Sequence, residues 1–117
     1  MLSNVADTHV CFPVQGSGTF GVEATIGSVV PPGGNLHILV NGAYGHRMAK
    51  IGDYLGRAYV VIETPEYTPV DVVQADSLLA GYTRITHAAV IHGETTSGII
   101  NPLGRCPTSW HGTVAPF

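Results

Sequence analysis

The stretch Gln15-Gly16-Ser17-Gly18-Thr19-Phe20 places two glycines and two hydroxyl side chains where an apolar run gives way to a helical pattern. Backbone N–H groups at a helix start lack intrahelical acceptors, the helix dipole favours an anion there, and glycine lets the backbone approach a phosphate closely. Ser17 and Thr19 add hydroxyl donors, so the chemistry on offer is the grip of a phosphate group. By itself the motif is a weak signal, which in most sequences marks a serine or threonine N-cap after a tight turn. Two later stretches share its character. Asn41-Gly42-Ala43-Tyr44-Gly45 brings an aromatic ring, and His92-Gly93-Glu94-Thr95-Thr96-Ser97-Gly98 brings three hydroxyls and a carboxylate.

These stretches need elements to hold them. Apolar β-rich runs alternate with amphipathic runs at regular spacing, the mark of successive βαβ units and an α/β fold. A short strand is expected near Val10–Val14, then the glycine turn, then a helix from about Thr19 to Val29 with Val22, Ile26 and Val29 on one face. Pro31-Pro32-Gly33-Gly34 stops that helix. Leu36–Val40 reads as a second strand. Tyr44, Met48, Ile51 and Leu55 then recur at helical spacing until Gly56. Tyr59–Ile62 makes a third strand. Thr68 is expected to cap the next helix, with Pro69 at its first position and Asp71 in its first turn, running to about Leu79 before Gly81. Thr86–Ile91 is the fourth strand. Right-handed crossovers return such strands in parallel, so the loops leaving them open on one edge of the sheet. The three polar turns are therefore candidates for a single cleft.

The 117 residues suit one domain with a modest core. Hydrophobic content of 44% beside charged content of 11% describes a buried, sheet-rich interior, and excludes a disordered chain or a basic nucleic-acid module. The basic residues at 47, 50, 57, 84 and 105 form no patch and the net charge is −3, so neither nucleic acid nor an anionic membrane is an expected partner. No apolar run approaches the roughly 20 residues that span a bilayer. The N-terminus shows no basic-then-apolar signal pattern, and the cytoplasm is the expected compartment. Cys11 and Cys106 read as reduced thiols. His9, His37, His46, His87 and His111 show no ligand spacing, and no metal site is expected. His92 reads as a satisfied imidazole at the end of a buried strand. Arg47 and Lys50 read as the solvated face of the second helix.

QGSGTF, NGAYGHRMAKI and HGETTSGIINPL, in this order and spacing, resemble the fold-type I pyridoxal-phosphate aminotransferases of class V, over about Cys11–Leu103. Within that class the motifs are similar to the 2-aminoethylphosphonate:pyruvate branch, with the serine/alanine:glyoxylate enzymes as relatives. The resemblance implies a partial three-layer αβα large domain with a mostly parallel sheet. It implies a homodimer and transfer of the amino group of 2-aminoethylphosphonate to pyruvate, yielding phosphonoacetaldehyde and alanine. By position it implies that Ser17, Gly18 and Thr19 bind the pyridoxal 5'-phosphate phosphate, that Tyr44 lies against the pyridine ring, and that Thr95 approaches the ring oxygen. Tyr44 also begins the 44, 48, 51, 55 stripe, so a core role stands beside the stacking role. Thr96 and Ser97 are expected to satisfy loop backbone. Glu94, which a phosphate would repel, is expected to face a backbone N–H or another subunit.

The chain also departs from that pattern. A pyridoxal-phosphate enzyme requires a lysine for the cofactor linkage and an acidic partner for the ring nitrogen, and the resemblance puts both after the NPL stretch. The only lysine, Lys50, lies in the NGAYG helix and does not match, so no catalytic residue is assigned. Residues 1–103 are read as the N-terminal part of the cofactor-binding large domain, and 104–117, which have no helical period, as an irregular tail outside the family pattern. The expectation is a truncated or frame-shifted reading frame that leaves sheet edges unpaired and prone to association, with little activity of its own.

Overall fold

The computed structural model describes residues 12–102. Cys11, Cys106, His9, His111 and the whole tail 104–117 lie outside the described residues.

Helix α1, Gly18–Val29, starts at Ser17, whose Oγ accepts from the Phe20 N–H at 3.3 Å. Val22, Ile26 and Val30 are buried at i, i+4 spacing, while Val29, expected on that face, is 39% exposed. Strand β1, Asn35–Val40, is buried along its whole length after Asn35. Such continuous burial belongs to a central parallel strand covered on both faces. Helix α2, Ala43–Tyr54, is closed by Gly56 at φ +62, the left-handed region that glycine enters without steric cost. Strand β2 is Ala58–Glu63, helix α3 is Val72–Gly81 and strand β3 is His87–Val90.

The sheet order is β2-β1-β3, and both pairings are parallel. The chain steps one way from β1 through α2 to β2, then back across β1 through α3 to β3. Right-handed crossovers in opposite directions place α2 and α3 on opposite faces, which makes the three αβα layers. Side-chain alternation along β1 follows suit. Leu36, Ile38 and Val40 join Val22 and Ile26 of α1 and Met48, Ala49 and Ile51 of α2 in one cluster. Leu39 joins Val70, Ala75 and Val90 in the other. Arg57 staples the ends of the first two helices, donating from Nε to the Val30 carbonyl at 2.8 Å and from Nη1 to the Leu55 carbonyl at 3.1 Å. A cation is electrostatically favoured at such C-termini.

Three expectations are corrected. Phe12–Val14 form no strand; Pro13 lacks a ladder donor, and Phe12 and Val14 are exposed. The α3 cap is Asp71, not Thr68: Asp71 Oδ1 accepts from the Val73 and Gln74 N–H groups at 2.9 and 3.0 Å. Residues 68–70 stay outside the helix instead, because Pro69 disfavours helix at Thr68 and the Val70 N–H donates to Asn101 Oδ1 at 2.9 Å. The loop after β3, expected as a plain turn, carries a short antiparallel ladder, β4 at Gly93–Glu94 and β5 at Ile99–Ile100. No described helix is long and apolar enough to cross a membrane.

One buried polar pair joins the strand ends. Asn41 Nδ2 donates to Asn101 Oδ1 at 2.9 Å and Asn101 Nδ2 returns a bond to Asn41 Oδ1 at 3.1 Å. The same two amides hold the Thr68 carbonyl and the Ile91 carbonyl. Neither residue is more than 2% exposed, so every lost partner is a desolvated group left unpaired.

Asn101→Ala is therefore expected to destabilise the fold by about 3 kcal/mol, a sum of several such orphaned groups, read as a lower denaturant midpoint at unchanged m-value. A second outcome concerns His37, 1% exposed on β1, with Nδ1 unpartnered among the described residues and its ring edge-on to Tyr82. Burial holds this imidazole below its ordinary 6.5. The folded state thus resists the proton that the unfolded chain accepts, so stability is full above pH 6.5 and falls as the pH drops from there through the folded value. Unfolding midpoints measured across that interval should decline on acidification, and His37→Phe should remove that share of the decline.

Candidate functional site

β1 and β3 are adjacent, and the chain leaves β1 toward one side of the sheet while β3 lies on the other. Open α/β sheets bind ligands outside the carboxyl ends of strands at such a reversal. A cavity of about 320 Å³ lies here, bounded by the first turns of α1 and α2 and by the loop after β3. Its size falls within the range of small-molecule pockets.

The cavity joins all five residues that the sequence reading selected: Ser17, Gly18, Thr19, Tyr44 and Thr95. Val22, Met48, Ile51 and Ile91 give it an apolar floor. Ser17 and Thr19 occupy the start of α1, where unpaired N–H groups and the positive end of the dipole lie. Tyr44 opens α2 and is 40% exposed. The stripe that begins with Tyr44 therefore serves both readings: Met48 and Ile51 are buried core residues and also form the cavity floor. Thr95 is exposed on the turn between β4 and β5, which closes through Ser97 and Gly98 N–H bonds to the Glu94 carbonyl.

Glu94 faces a backbone N–H, as its charge required. It is fully buried, and its Oε2 accepts from the Tyr44 N–H at 3.1 Å. Oε1 accepts from the Thr96 hydroxyl at 2.5 Å and from the Thr96 N–H at 3.4 Å. The residue at the α2 cap position, Gly42, offers no side chain, so Glu94 supplies from another loop the acceptor and negative charge that a helix start favours. A Cβ on Gly42 would overlap Glu94 Cγ and Cδ, which ties the glycine to the carboxylate. Glu94 is not among the cavity-lining residues. Ser97 Oγ donates to the Glu94 carbonyl at 3.4 Å, and His92 Nδ1 lies 3.1 Å from the Asn101 carbonyl, so both serve the loop.

Arg47 keeps the solvated position expected of it and has contacts beyond that. It is exposed, yet it lines the cavity, contacts Thr19 and sits beside the Tyr44 ring. Its i, i+3 spacing from Tyr44 was the available signal. Lys50 does not line the cavity. No cluster of His, Cys, Asp or Glu among the described residues could hold a metal ion. The arrangement suits a ligand with an anionic end and a flat apolar body: hydroxyls and a helix start at one end, an aromatic ring at the wall and, among the described residues, one cationic side chain.

No protein-family model matches the chain. The 2-aminoethylphosphonate–pyruvate transaminase of Pseudomonas fluorescens is 53% identical over 100 residues, which are 86% of this chain and 27% of that protein. Among solved structures, pyridoxamine–pyruvate aminotransferase from Mesorhizobium loti superposes with a TM-score of 0.72 at 26% identity, over 80% of this chain and 25% of that one. Alanine–glyoxylate aminotransferase from Nostoc sp. gives a TM-score of 0.71 at 31% identity, over 77% of this chain and 24% of that one. The chain spans about 27% of the length of the curated relative it matches. It is homologous to one segment of the 2-aminoethylphosphonate–pyruvate transaminases, and its fold matches the corresponding segment of fold-type I aminotransferases.

Gly42→Ala should force Glu94 off the start of α2 and lower stability by about 2 kcal/mol, as overpacking at a closed site does. Combining it with Glu94→Ala should relieve the overlap, so thermal or denaturant unfolding of the four proteins should give a double variant less destabilised than the sum of the singles.

Proposed function

We propose that this chain is the cofactor-seating segment of a pyridoxal 5'-phosphate-dependent aminotransferase that moves the amino group of 2-aminoethylphosphonate to pyruvate, giving phosphonoacetaldehyde and alanine. The observation that carries the reading is the union of Ser17, Gly18 and Thr19 with Tyr44 and Thr95 around one apolar-floored cavity. The relative's name supplies the amino donor and acceptor.

The donor set fits the cofactor. Ser17 and Thr19 hydroxyls and the free N–H groups of the α1 start match a phosphate, which accepts hydrogen bonds and carries negative charge. Tyr44 offers a face to a flat ring, and Thr95 offers a hydroxyl to a polar ring substituent. Val22, Met48, Ile51 and Ile91 exclude water beneath it. When bound, the cofactor supplies an electron sink for chemistry at the amino-bearing carbon. The residues of this chain bind it, orient it and keep its lower side dry.

Lys50, the only lysine of the chain, lies off the cavity. That favours a second reading for the 117 residues taken alone, namely that they bind the phosphate-bearing ring without transferring nitrogen. The proposed activity requires a lysine for the cofactor linkage and an acidic partner for the ring nitrogen, and a second copy of the protein in a cytoplasmic homodimer would complete the site. The serine/alanine:glyoxylate alternative would use the same cavity, and identity of 53% to the phosphonate enzyme against 31% to the alanine–glyoxylate enzyme favours the former.

Titration of the purified chain with pyridoxal phosphate, followed by absorbance before and after borohydride and by mass spectrometry, tests the reading. Binding dependent on the phosphate group, no adduct at Lys50, and about tenfold weaker binding on losing the Ser17 and Thr19 hydroxyls together are expected. Equal affinity for pyridoxal and pyridoxal phosphate would overturn it.

A further inference from the structure

We propose that Arg47 is the positioning residue of this site: it fixes the Thr19 hydroxyl as a proton donor toward the bound phosphate and holds the Tyr44 ring at the cavity wall. The proposal rests on the cofactor reading above and adds to it a residue that the motif comparison did not select.

The argument begins with what each group can do. A guanidinium has only donors, so at the 3.2 Å contact between Arg47 Nη1 and Thr19 Oγ1 the threonine oxygen is the acceptor. A hydroxyl has one proton. With its oxygen engaged by Arg47, Thr19 keeps that proton for another partner, and Thr19 lines the cavity. Ser17 is set the same way, because its Oγ already accepts from the Phe20 N–H. Both hydroxyls thus accept from the protein and have a proton left to donate, the state an anionic phosphate requires. Accepting from a charged donor also polarises the Thr19 O–H and strengthens the bond it gives.

The second half concerns the ring. Arg47 Cζ lies 5.6 Å from the Tyr44 ring centroid, inside the roughly 6 Å reach of a cation–π contact. Three residues apart on α2, the two side chains are neighbours on one helix face. Arg47 therefore bridges the first turn of α1, where Thr19 sits, to the first turn of α2, where Tyr44 sits. The one side-chain ion pair identified among the described residues joins His46 to Glu63, so Arg47 keeps its charge unpaired by carboxylate beside an anion seat. Among the described residues it is the only charged side chain lining the cavity.

The test uses two probes without an aldehyde, so that no lysine chemistry intervenes: 4-deoxypyridoxine 5'-phosphate and 4-deoxypyridoxine. Dissociation constants are measured by calorimetry for the full chain and for Arg47→Met, Thr19→Val and the double variant. Arg47→Met is expected to weaken the phosphorylated probe about tenfold and the unphosphorylated probe about twofold, since the charge-assisted part acts through the phosphate. The double variant should be within about twofold of the weaker single, because Thr19 and Arg47 act through one contact. Equal losses for both probes, additive losses, or no loss on Arg47→Met would overturn the proposal. If the unaltered chain binds neither probe, the cofactor reading falls, and a ligand-free measurement decides Arg47 by itself. Three-bond couplings of Thr19 should report one χ1 rotamer in the unaltered chain and averaged rotamers in Arg47→Met, whereas identical couplings in the two would overturn the positioning role.

Discussion

The reciprocal amide pair between Asn41 and Asn101 is the constraint on which the rest of the site depends. Each side chain presents a carbonyl and an NH2 to the other, and a buried amide satisfied on both sides is difficult to replace by any other residue type. Through this pair the end of β1, residues 68–70 before α3 and the return of the β4–β5 ladder meet at one point. That junction settles where the loop carrying Glu94 and Thr95 can lie. Glu94 then reaches the start of α2, and the start of α2 carries Tyr44 and Arg47. The cavity is the downstream result of a chain of hydrogen bonds that begins well behind it.

Charge is sorted along the same line. The negative charge is buried at the back, where Glu94 meets N–H groups of the α2 start and the Thr96 loop. The positive charge stands at the front on Arg47, beside the hydroxyls. Had the carboxylate faced the cavity, it would have opposed an anionic ligand at low dielectric, where repulsion is strong. Gly42 makes the sorting possible, because any larger residue would occupy the volume Glu94 fills.

Much of this was legible from residue types. α1, β1, α2 and β2 follow from periodicity and from glycine and proline punctuation, each within a residue or two at its ends. The convergence of three turns follows from parallel topology, which needs only alternating strands and helices. What escaped the sequence reading depended on contacts distant along the chain. Thr68 is a good local cap candidate, but Asn41 and Asn101 claim the backbone around it. Of the strand expected over Val10–Val14, the described residues 12–14 lie outside the sheet, because Pro13 lacks a donor and its neighbours are exposed. Arg47 looked like a solvated charge because solvent exposure says nothing about a threonine 28 positions earlier.

β1 is paired on both sides and buried on both faces. Amides in such a strand are released to solvent only when the whole fold opens, whereas edge strands and the thinly covered α3 side open in smaller steps. The turn that leads to Tyr44 hangs from the end of β1, whereas the loop with Thr95 follows the edge strand β3. The aromatic wall of the seat is thus mounted on the segment that exchanges last, and local fraying at the edge strand β2 can proceed without carrying that wall along with it.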